Sequence, residues 1–253
     1  MVVNTALPEL GYNLNKRKRS IAIIWTAIIT ITCIQFEVLY FTLHYAAHKK
    51  EDKALEIPTT ILLVLSVLTI IYRSWLLMRK GSQCRIIDGR WYSMDFFNYT
   101  AILGFVIVTA VLSAATADED VDLRQASMPQ AIVLYLAGGL LTVTGVMSTL
   151  GLKLPIRMSS TPRGSVCKPG VFVVMEDIVA VDGGGGEGFR RALRARYEAS
   201  ETFRRILEEL NWFWGLGSVV VATVTTIVVY VVNDLNVVFA IGQSTRPRTW
   251  NIC

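Results

Sequence analysis

The chain has 253 residues, of which 53% are hydrophobic and only 18% are charged, and its formal net charge is +5. Its apolar residues are gathered into long uncharged runs instead of recurring at the helical or strand period of a soluble domain, so an ordinary soluble protein is disfavoured. Because the basic residues flank these runs, the positive charge indicates membrane topology and not nucleic-acid binding.

Five apolar runs meet or approach the length of about 18 residues that reads as a membrane span. They are Ser20–Leu43, Ile57–Met78, Phe96–Ala117, Met128–Leu152 and Trp212–Val232. Lipid offers no hydrogen-bond partners to the backbone, so these runs are predicted to be helices despite their Val, Ile and Thr content. The predicted fold class is an all-α membrane protein, a polytopic bundle of about five transmembrane helices with a cytosolic amphipathic helix.

Charge on the loops predicts the orientation. Lys16–Arg19 directly precedes the first span, which places the N-terminal tail, residues 1–19, in the cytosol. Alternation then makes residues 20–152 a four-helix transmembrane region, 153–211 a cytosolic loop and 212–232 a fifth transmembrane helix. Nineteen of the 25 Lys and Arg residues fall on the predicted cytosolic side. Residues 233–253 are expected to form a non-cytosolic tail that includes either a surface patch or the stub of a truncated sixth helix.

The first span contains an acidic residue, Glu37, within its apolar run. Helical spacing places Tyr40, Phe41 and His44 on the same face. A carboxylate, a phenol and an imidazole on one stripe could carry protons or hold a cation, which makes Glu37, Tyr40 and His44 proton or ion candidates. Glu37 is only about two turns from the outer boundary, where water or a polar neighbour could satisfy it, so an ordinary boundary role stays open.

No metal or cofactor site is predicted. His44 and His48 lie four residues apart, yet no Cys, Asp or Glu residue other than Glu37, Glu51 and Asp52 obviously completes a ligand set. Interface residues are therefore the favoured interpretation of the two histidines. The cysteines show no disulfide or metal spacing; they are Cys33, Cys84, Cys167 and Cys253.

Two polar residues near the cytosolic ends of the second and third spans are interpreted without a functional role. Arg73 lies about one turn from the end of the second span and is predicted to extend its guanidinium to the headgroups. The glycosylation sequon that begins at Asn98 falls in the cytosolic half of the third span and is expected to stay unmodified.

The fourth span carries small residues at intervals of four, three and four positions: Gly138, Thr142, Gly145 and Thr149. Such a stripe lets another helix approach closely. It is predicted to pack either inside the bundle or in a homodimer.

The loop 153–211 has room for a small folded element. Residues 171–181 are β-branched and apolar except for Glu176 and Asp177, which allows a strand or a short buried helix. Gly183–Gly186 is interpreted as a flexible hinge because no phosphate-binding fingerprint surrounds it. Residues 189–210 are predicted to form an amphipathic helix, since Phe189 and five later apolar residues recur near the helical period. This helix could lie on the inner leaflet, dock on the protein's own loop or bind a partner.

The stretch from Pro169 to Gly183, together with Phe189–Ser200, resembles a segment of multi-spanning membrane proteins from filamentous fungi. The resemblance is concentrated in residues 169–214, and the family carries no assigned activity. It implies class and origin and transfers no catalytic residue. Because some small fungal membrane proteins are encoded beside biosynthetic genes, it suggests an accessory role in secondary metabolism.

Two functional hypotheses follow. The first is a membrane protein that moves small solutes or serves as an accessory scaffold, with the lipid bilayer and either a second copy or a partner membrane protein as its partners. The alternative is a membrane-embedded enzyme, similar to a terpene cyclase, in which Glu37 donates a proton and Asp95 is the nearest second acid. The first is preferred because Asp95 lies at the boundary of a span.

Overall fold

The computed structural model describes residues 8, 10, 22, 26, 38, 39, 41–46, 51–90, 92–115, 117 and 122–232. Within that part, the regular elements are all helical, and extended backbone pairs only at two isolated bridges. Most of the first predicted span lies outside the described residues, as do Glu37, Tyr40, His48 and the tail 233–253.

The helices are numbered in chain order. After a π-helical turn, Thr42–Ala46, they are α1 Glu51–Met78, α2 Phe96–Ala115, α3 Leu123–Ala126, α4 Pro129–Thr149, α5 Gly170–Val181, α6 Gly186–Ala199 and α7 Glu201–Val231.

Four of these helices are long and apolar enough to cross a membrane. The candidate spans are Glu56–Met78, Phe96–Ala115, Pro129–Thr149 and Glu201–Val231. Only 17% to 22% of the residues in their most apolar stretches are buried, so large side chains such as Leu68 and Phe213 are exposed along them. Extended apolar surfaces of this kind are unfavourable in water and fit a lipid environment. These helices overlap the second to fifth predicted spans, although α7 begins at Glu201, before the predicted start of the fifth span at Trp212.

The chain forms two compact units, and α1, α2, α4 and α7 contribute residues to both. The first unit comprises Met1–Lys16, Thr69–Ile102 and Ala137–Gly217; the second comprises Arg17–Leu68, Leu103–Leu136 and Ser218–Cys253.

In the second unit, the short helix α3 supports the end of α7. The guanidinium of Arg124 donates hydrogen bonds to the carbonyl oxygens of Val229 and Val232, the latter at 3.1 Å. Carbonyl groups in the last turn of a helix have no partners within the helix, and a cation there also interacts favourably with the helix dipole. Arg124 therefore caps the C-terminus of α7.

The first unit has a hydrophobic core built from the connection between α4 and α5, from α5 and α6, and from the start of α7. Its buried members are Leu154, Met158, Cys167, Phe172, Val173, Phe189, Leu193 and Leu207. Of the two structures allowed for residues 171–181, the chain adopts the buried helix, α5.

The glycine run 183–186 forms a hydrogen-bonded turn between α5 and α6. Gly184 and Gly186 have φ angles of +66° and +62°, a conformation that glycine adopts without steric cost. The N–H of Gly185 donates to the carbonyl of Val179 at 2.9 Å, and the N–H of Glu187 donates to that of Gln83 at 2.6 Å. Backbone conformation therefore explains Gly184 and Gly186, and hydrogen bonds hold the turn to Val179 and Gln83.

The segment predicted as one helix over 189–210 is divided at Ser200, whose backbone is extended. The Ser200 hydroxyl accepts a hydrogen bond from the N–H of Phe203 at 3.2 Å and so caps the start of α7. Phe189 and Leu193 of α6 are buried in the core of the first unit, together with Leu207 of α7. These three side chains therefore pack against the protein's own core.

Candidate functional site

Six charged side chains of the first unit meet in one group, which we call the charge cluster. Its members are Arg73 of α1, Asp95 just before α2, Glu176 and Asp177 of α5, Asp182 just after α5, and Arg190 of α6. All except Asp182 are buried. Residues of three helices, and the residues that flank α2 and α5, are thereby joined by ion pairs.

Arg190 is the centre of the cluster and is fully buried. Its Nη1 atom lies 2.7 Å from Oδ1 of Asp177 and 3.4 Å from Oε1 of Glu176, and its Nη2 atom lies 3.8 Å from Oδ2 of Asp95. Taking a guanidinium out of water costs several kcal/mol, and only close carboxylates repay that cost. The buried charge of Arg190 is therefore stabilised by these acids, and Arg190 in turn stabilises their buried charges.

Arg73 does not extend to the headgroups, and that prediction is wrong. Its Nη2 atom lies 2.6 Å from Oδ2 of Asp95, and its Nη1 atom pairs with Asp182. The guanidinium also lies over the ring of Phe97, 4.8 Å from the centroid. The physical reason is that carboxylates of the same unit offer a closer and stronger partner than lipid phosphates would.

The charge cluster also completes the N-terminus of α2. The first three N–H groups of a helix have no partner within it. Here Phe96 donates to Oγ of Ser159 at 2.9 Å, Phe97 to Oδ2 of Asp177 at 3.2 Å, and Asn98 to Oδ1 of Asp95 at 2.8 Å. The two carboxylates lie at the positive end of the helix dipole, so α2 helps to offset the negative charge of the cluster.

The cluster has more carboxylates than guanidiniums, four against two when all are ionised. Burial raises the pKa of Asp177 to about 7, and the neighbouring Asp95 carboxylate acts in the same direction. The Arg190 guanidinium and the Ser159 hydroxyl oppose that rise. Burial likewise raises the pKa of Asp182 against the effect of Arg73. The cluster can therefore hold a proton near neutral pH.

Glu176 is the least compensated member. Its Oε1 atom has only the 3.4 Å contact with Arg190, and its buried Oε2 atom has no hydrogen-bond partner among the described residues. A buried carboxylate oxygen without a hydrogen-bond partner is costly.

A second polar contact joins α4, α5 and α7 within the first unit. The buried Asn211 donates from Nδ2 to the carbonyl of Leu141 at 2.8 Å and accepts the N–H of Val171 at 3.1 Å. Its surroundings require small residues: a Cβ atom on Gly145 would lie 2.6 Å from Nδ2 of Asn211, and one on Gly170 would lie 2.4 Å from Oγ1 of Thr144.

The small-residue stripe of α4 is thus placed in part against α7. A Cβ atom on Gly215 of α7 would lie 3.1 Å from Oγ1 of Thr142. Gly138 is buried, whereas Thr149 is exposed and donates its hydroxyl to the carbonyl of Gly145. Two of the four stripe residues, Thr142 and Gly145, therefore lie at a helix contact inside the chain.

The structure does not bring the sequence-predicted site together. Glu37 and Tyr40 lie outside the described residues, and His44 lies in the π-helical turn beside the ring of Tyr45, with ring centroids 4.7 Å apart. In the described ranges no three His, Cys, Asp or Glu residues are grouped as a metal site would need. The Asn98 amide is buried and donates to Ser74, so it is inaccessible to a glycan in this fold.

Sequence reasoning missed Glu176, Asp177 and Arg190 as site residues. A signal was present: two adjacent acids interrupt the apolar run 171–181, and Arg73 interrupts another. Charges inside apolar runs pair with one another when they are buried. That rule predicts that such charges have partners, although it does not say which ones.

The described part of the chain is all-helical, and four of its helices are compatible with a multi-pass membrane protein. The chain belongs to a family described as a domain of unknown function, DUF8766, whose model matches residues 2–253. No curated protein and no solved structure matches the chain.

Proposed function

We propose that the chain is an integral membrane protein with a cytosolic N-terminus that acts as an accessory or scaffold component. In this proposal the spans carry a folded head, defined as residues 79–95 and 150–200. The supporting observation is the charge cluster, because it pairs Arg73 of a candidate span with Asp95 and Asp182 of the head. A head fixed to membrane helices by buried ion pairs presents a constant surface to other proteins.

The engagement of the acids favours a structural role over catalysis. Asp177 accepts hydrogen bonds from Arg190, Ser159 and the N–H of Phe97. Asp95 is engaged by Arg73 and by the N–H of Asn98, which counts against its use as the second acid of a cyclase. The enzyme alternative depends on Glu37, which lies outside the described residues.

The test of the scaffold proposal is native electrophoresis of mild-detergent extracts from membranes that contain the full chain. We expect a complex larger than a dimer of the chain. Arg190→Gln should abolish this complex, because it leaves Asp177 and Asp95 without their shared cation, whereas the matched change Arg191→Gln should retain it, because Arg191 is exposed. Migration of the unmodified chain only as a monomer or dimer would argue against a scaffold.

A second candidate, proton-coupled movement of a small solute, is favoured by one observation. The cluster contains four carboxylates and two guanidiniums, and the pKa of Asp177 is raised to about 7. The chain would be reconstituted in vesicles that contain a pH-sensitive dye, and a pH gradient would be imposed. Proton flux that is lost in Asp177→Asn would support transport over scaffolding. Flux equal to that of empty vesicles would remove the transport candidate.

The orientation, the metabolic role and the partner surface are each proposed from a single observation. The cytosolic side is proposed from the distribution of Lys and Arg, 19 of 25 of which fall on the predicted cytosolic side. A role in fungal secondary metabolism rests on the resemblance of residues 169–214. A homodimer or a partner membrane protein would use surfaces other than Thr142 and Gly145, since these lie against α7.

A further inference from the structure

The connection between α4 and α5 begins with residues 152–159, in which buried and exposed apolar side chains are interspersed. Leu154 and Met158 are buried in the core of the first unit, whereas Leu152 and Ile156 are 46% and 60% exposed. The backbone bends at Pro155 and Ile156, so the stretch is not a regular strand, and Ile156 is exposed although Leu154 and Met158 on either side of it are buried. Bridges from Lys153 to Val166 and from Met158 to Thr161 fold the rest of the segment back alongside it. We call residues 152–166 the strap.

Both ends of the segment 152–159 are attached to ends of candidate spans. At its start, the N–H of Leu152 donates to the carbonyl of Met147 in the last turn of α4 at 2.9 Å. At its other end, Oγ of Ser159 accepts the N–H of Phe96, the first residue of α2. When α2 and α4 cross a bilayer, these two helix ends define one membrane face. A segment that runs between them lies along the boundary between lipid and water.

The outer face of the strap has the composition that this boundary favours. Leu152, Ile156 and Val166 are large, apolar and exposed, Val166 to 56%. The exposed cations Lys153 and Arg163 lie among them in the strap. Apolar side chains that reach the acyl boundary, with basic side chains at the phosphate level, are typical of surfaces that bind anionic leaflets.

The strap is held in shape by its own unit. Arg157 donates hydrogen bonds to the carbonyl oxygens of Ile87, Asp88 and Ser159. Ser160 accepts the N–H of Ile87 and, through its carbonyl oxygen, a hydrogen bond from Arg194 at 2.6 Å. The apolar face is therefore presented outward by a fixed backbone and does not have to be ordered when it binds.

We propose that the strap inserts Leu152, Ile156 and Val166 into the headgroup region of the leaflet at which α4 ends, with Lys153 and Arg163 on anionic phospholipid phosphates. The inference rests on the proposed membrane location and adds a lipid-binding surface to it. Continuity favours the bilayer over other occupants, because the exposed residue Leu150 links the lipid-facing side of α4 to the strap.

The test places an environment-sensitive fluorophore on the strap of the full chain. Ile156→Cys is introduced into a chain whose four native cysteines are replaced by serine, labelled with nitrobenzoxadiazole and reconstituted in vesicles of phosphatidylcholine with or without phosphatidylserine. Arg191→Cys is the matched control, because Arg191 lies in the same unit and its side chain is 69% exposed. Nitroxide lipids with shallow or deep labels measure the depth of insertion.

We expect blue-shifted emission from position 156 and stronger quenching by the shallow nitroxide than by the deep one, with water-like emission from position 191. Phosphatidylserine should increase the shift, and Lys153→Gln with Arg163→Gln should abolish that increase. Water-like emission at position 156 in vesicles would overturn the proposal. A blue shift without nitroxide quenching would also overturn it, and would assign the face to a second copy of the chain when the shift grows with protein density.

Flotation separates the two possible failures. If the labelled chain floats with the vesicles and position 156 still reports water, the strap proposal is wrong and the membrane location stands. If the chain does not float with the vesicles, the proposed membrane location itself is wrong.

Discussion

Arg190 and Asp177 form a fully buried ion pair, with 2.7 Å between Nη1 and Oδ1, across the turn that joins α5 to α6. Two adjacent helices are thereby joined by charge as well as by apolar packing. The same carboxylate accepts the N–H of Phe97, so the pair extends to the start of α2.

Removing Arg190 should destabilise the first unit strongly. Arg190→Met leaves Asp177 and Asp95 buried with one cation fewer, and breaking a buried ion pair costs about 3–5 kcal/mol. Arg191→Met is the control and should leave the unfolding midpoint close to that of the unmodified chain, because Arg191 pairs only at the surface with Glu187. Denaturant unfolding in detergent, followed by circular dichroism, measures both. Equal midpoints for the two variants would contradict the central role of Arg190.

The stability of the first unit should fall as the pH rises from about 4 to about 7. The pKa of Asp177 is raised from 3.8 to about 7 in the folded chain, so the folded state binds the proton more tightly than the unfolded state. The corresponding stabilisation is complete below the unfolded value and is lost as the pH passes through the folded value. Asp182 acts in the same direction, since burial raises its pKa as well.

Asp177→Asn is the control for this pH dependence. It cannot ionise, so its unfolding midpoint should change less between pH 4 and pH 7 than that of the unmodified chain. Equal changes in the unmodified chain and in Asp177→Asn over this interval would contradict a raised pKa of Asp177.

Gly145 should not tolerate a side chain. In Gly145→Ala the added Cβ atom would lie 2.6 Å from Nδ2 of Asn211, so the amide must move and its hydrogen bond to Leu141 weakens. We expect a loss of about 1–3 kcal/mol. Gly139→Ala in the same helix has nothing within 4 Å of the new atom and should be neutral or slightly stabilising. Thermal unfolding in detergent measures the stability of both variants.

Arg124 should contribute to the stability of the second unit by capping α7. Arg124→Ala removes the hydrogen bonds to the carbonyls of Val229 and Val232, at a cost of about 1–2 kcal/mol. Hydrogen exchange in the last turn of α7 should accelerate. The neighbouring change Gln125→Ala should leave that exchange rate unaltered, because Gln125 is exposed. Equal exchange rates in the two variants would show that the cap is dispensable.

The long helices could be predicted because a long uncharged run indicates a helix in lipid whatever its tertiary partners are. A run such as 96–117 has no charge to interrupt it, and the helix that forms is Phe96–Ala115. The break at Ser200 was not visible, since the apolar residues keep nearly the same period on both sides of a single extended residue. Periodicity alone cannot detect so short an interruption.

The charge cluster could not be assembled from the sequence. Arg73 and its partner Asp182 are 109 residues apart, and only the folded first unit brings them together. The interpretation of Arg73 as a headgroup-facing residue considered its span in isolation. Once Asp95 and Asp182 bring their carboxylates to the same region, pairing within the protein has the lower free energy.

The N-terminus of α2 has a consequence for biogenesis. Phe96 and Phe97 obtain their hydrogen-bond acceptors from Ser159 and Asp177, which lie 63 and 80 residues further along the chain. The ribosome therefore synthesises α2 well before it synthesises the residues that complete the first turn of α2. The start of α2 reaches its final form only when the nascent chain has grown through α5, so assembly of this joint is among the later events of synthesis.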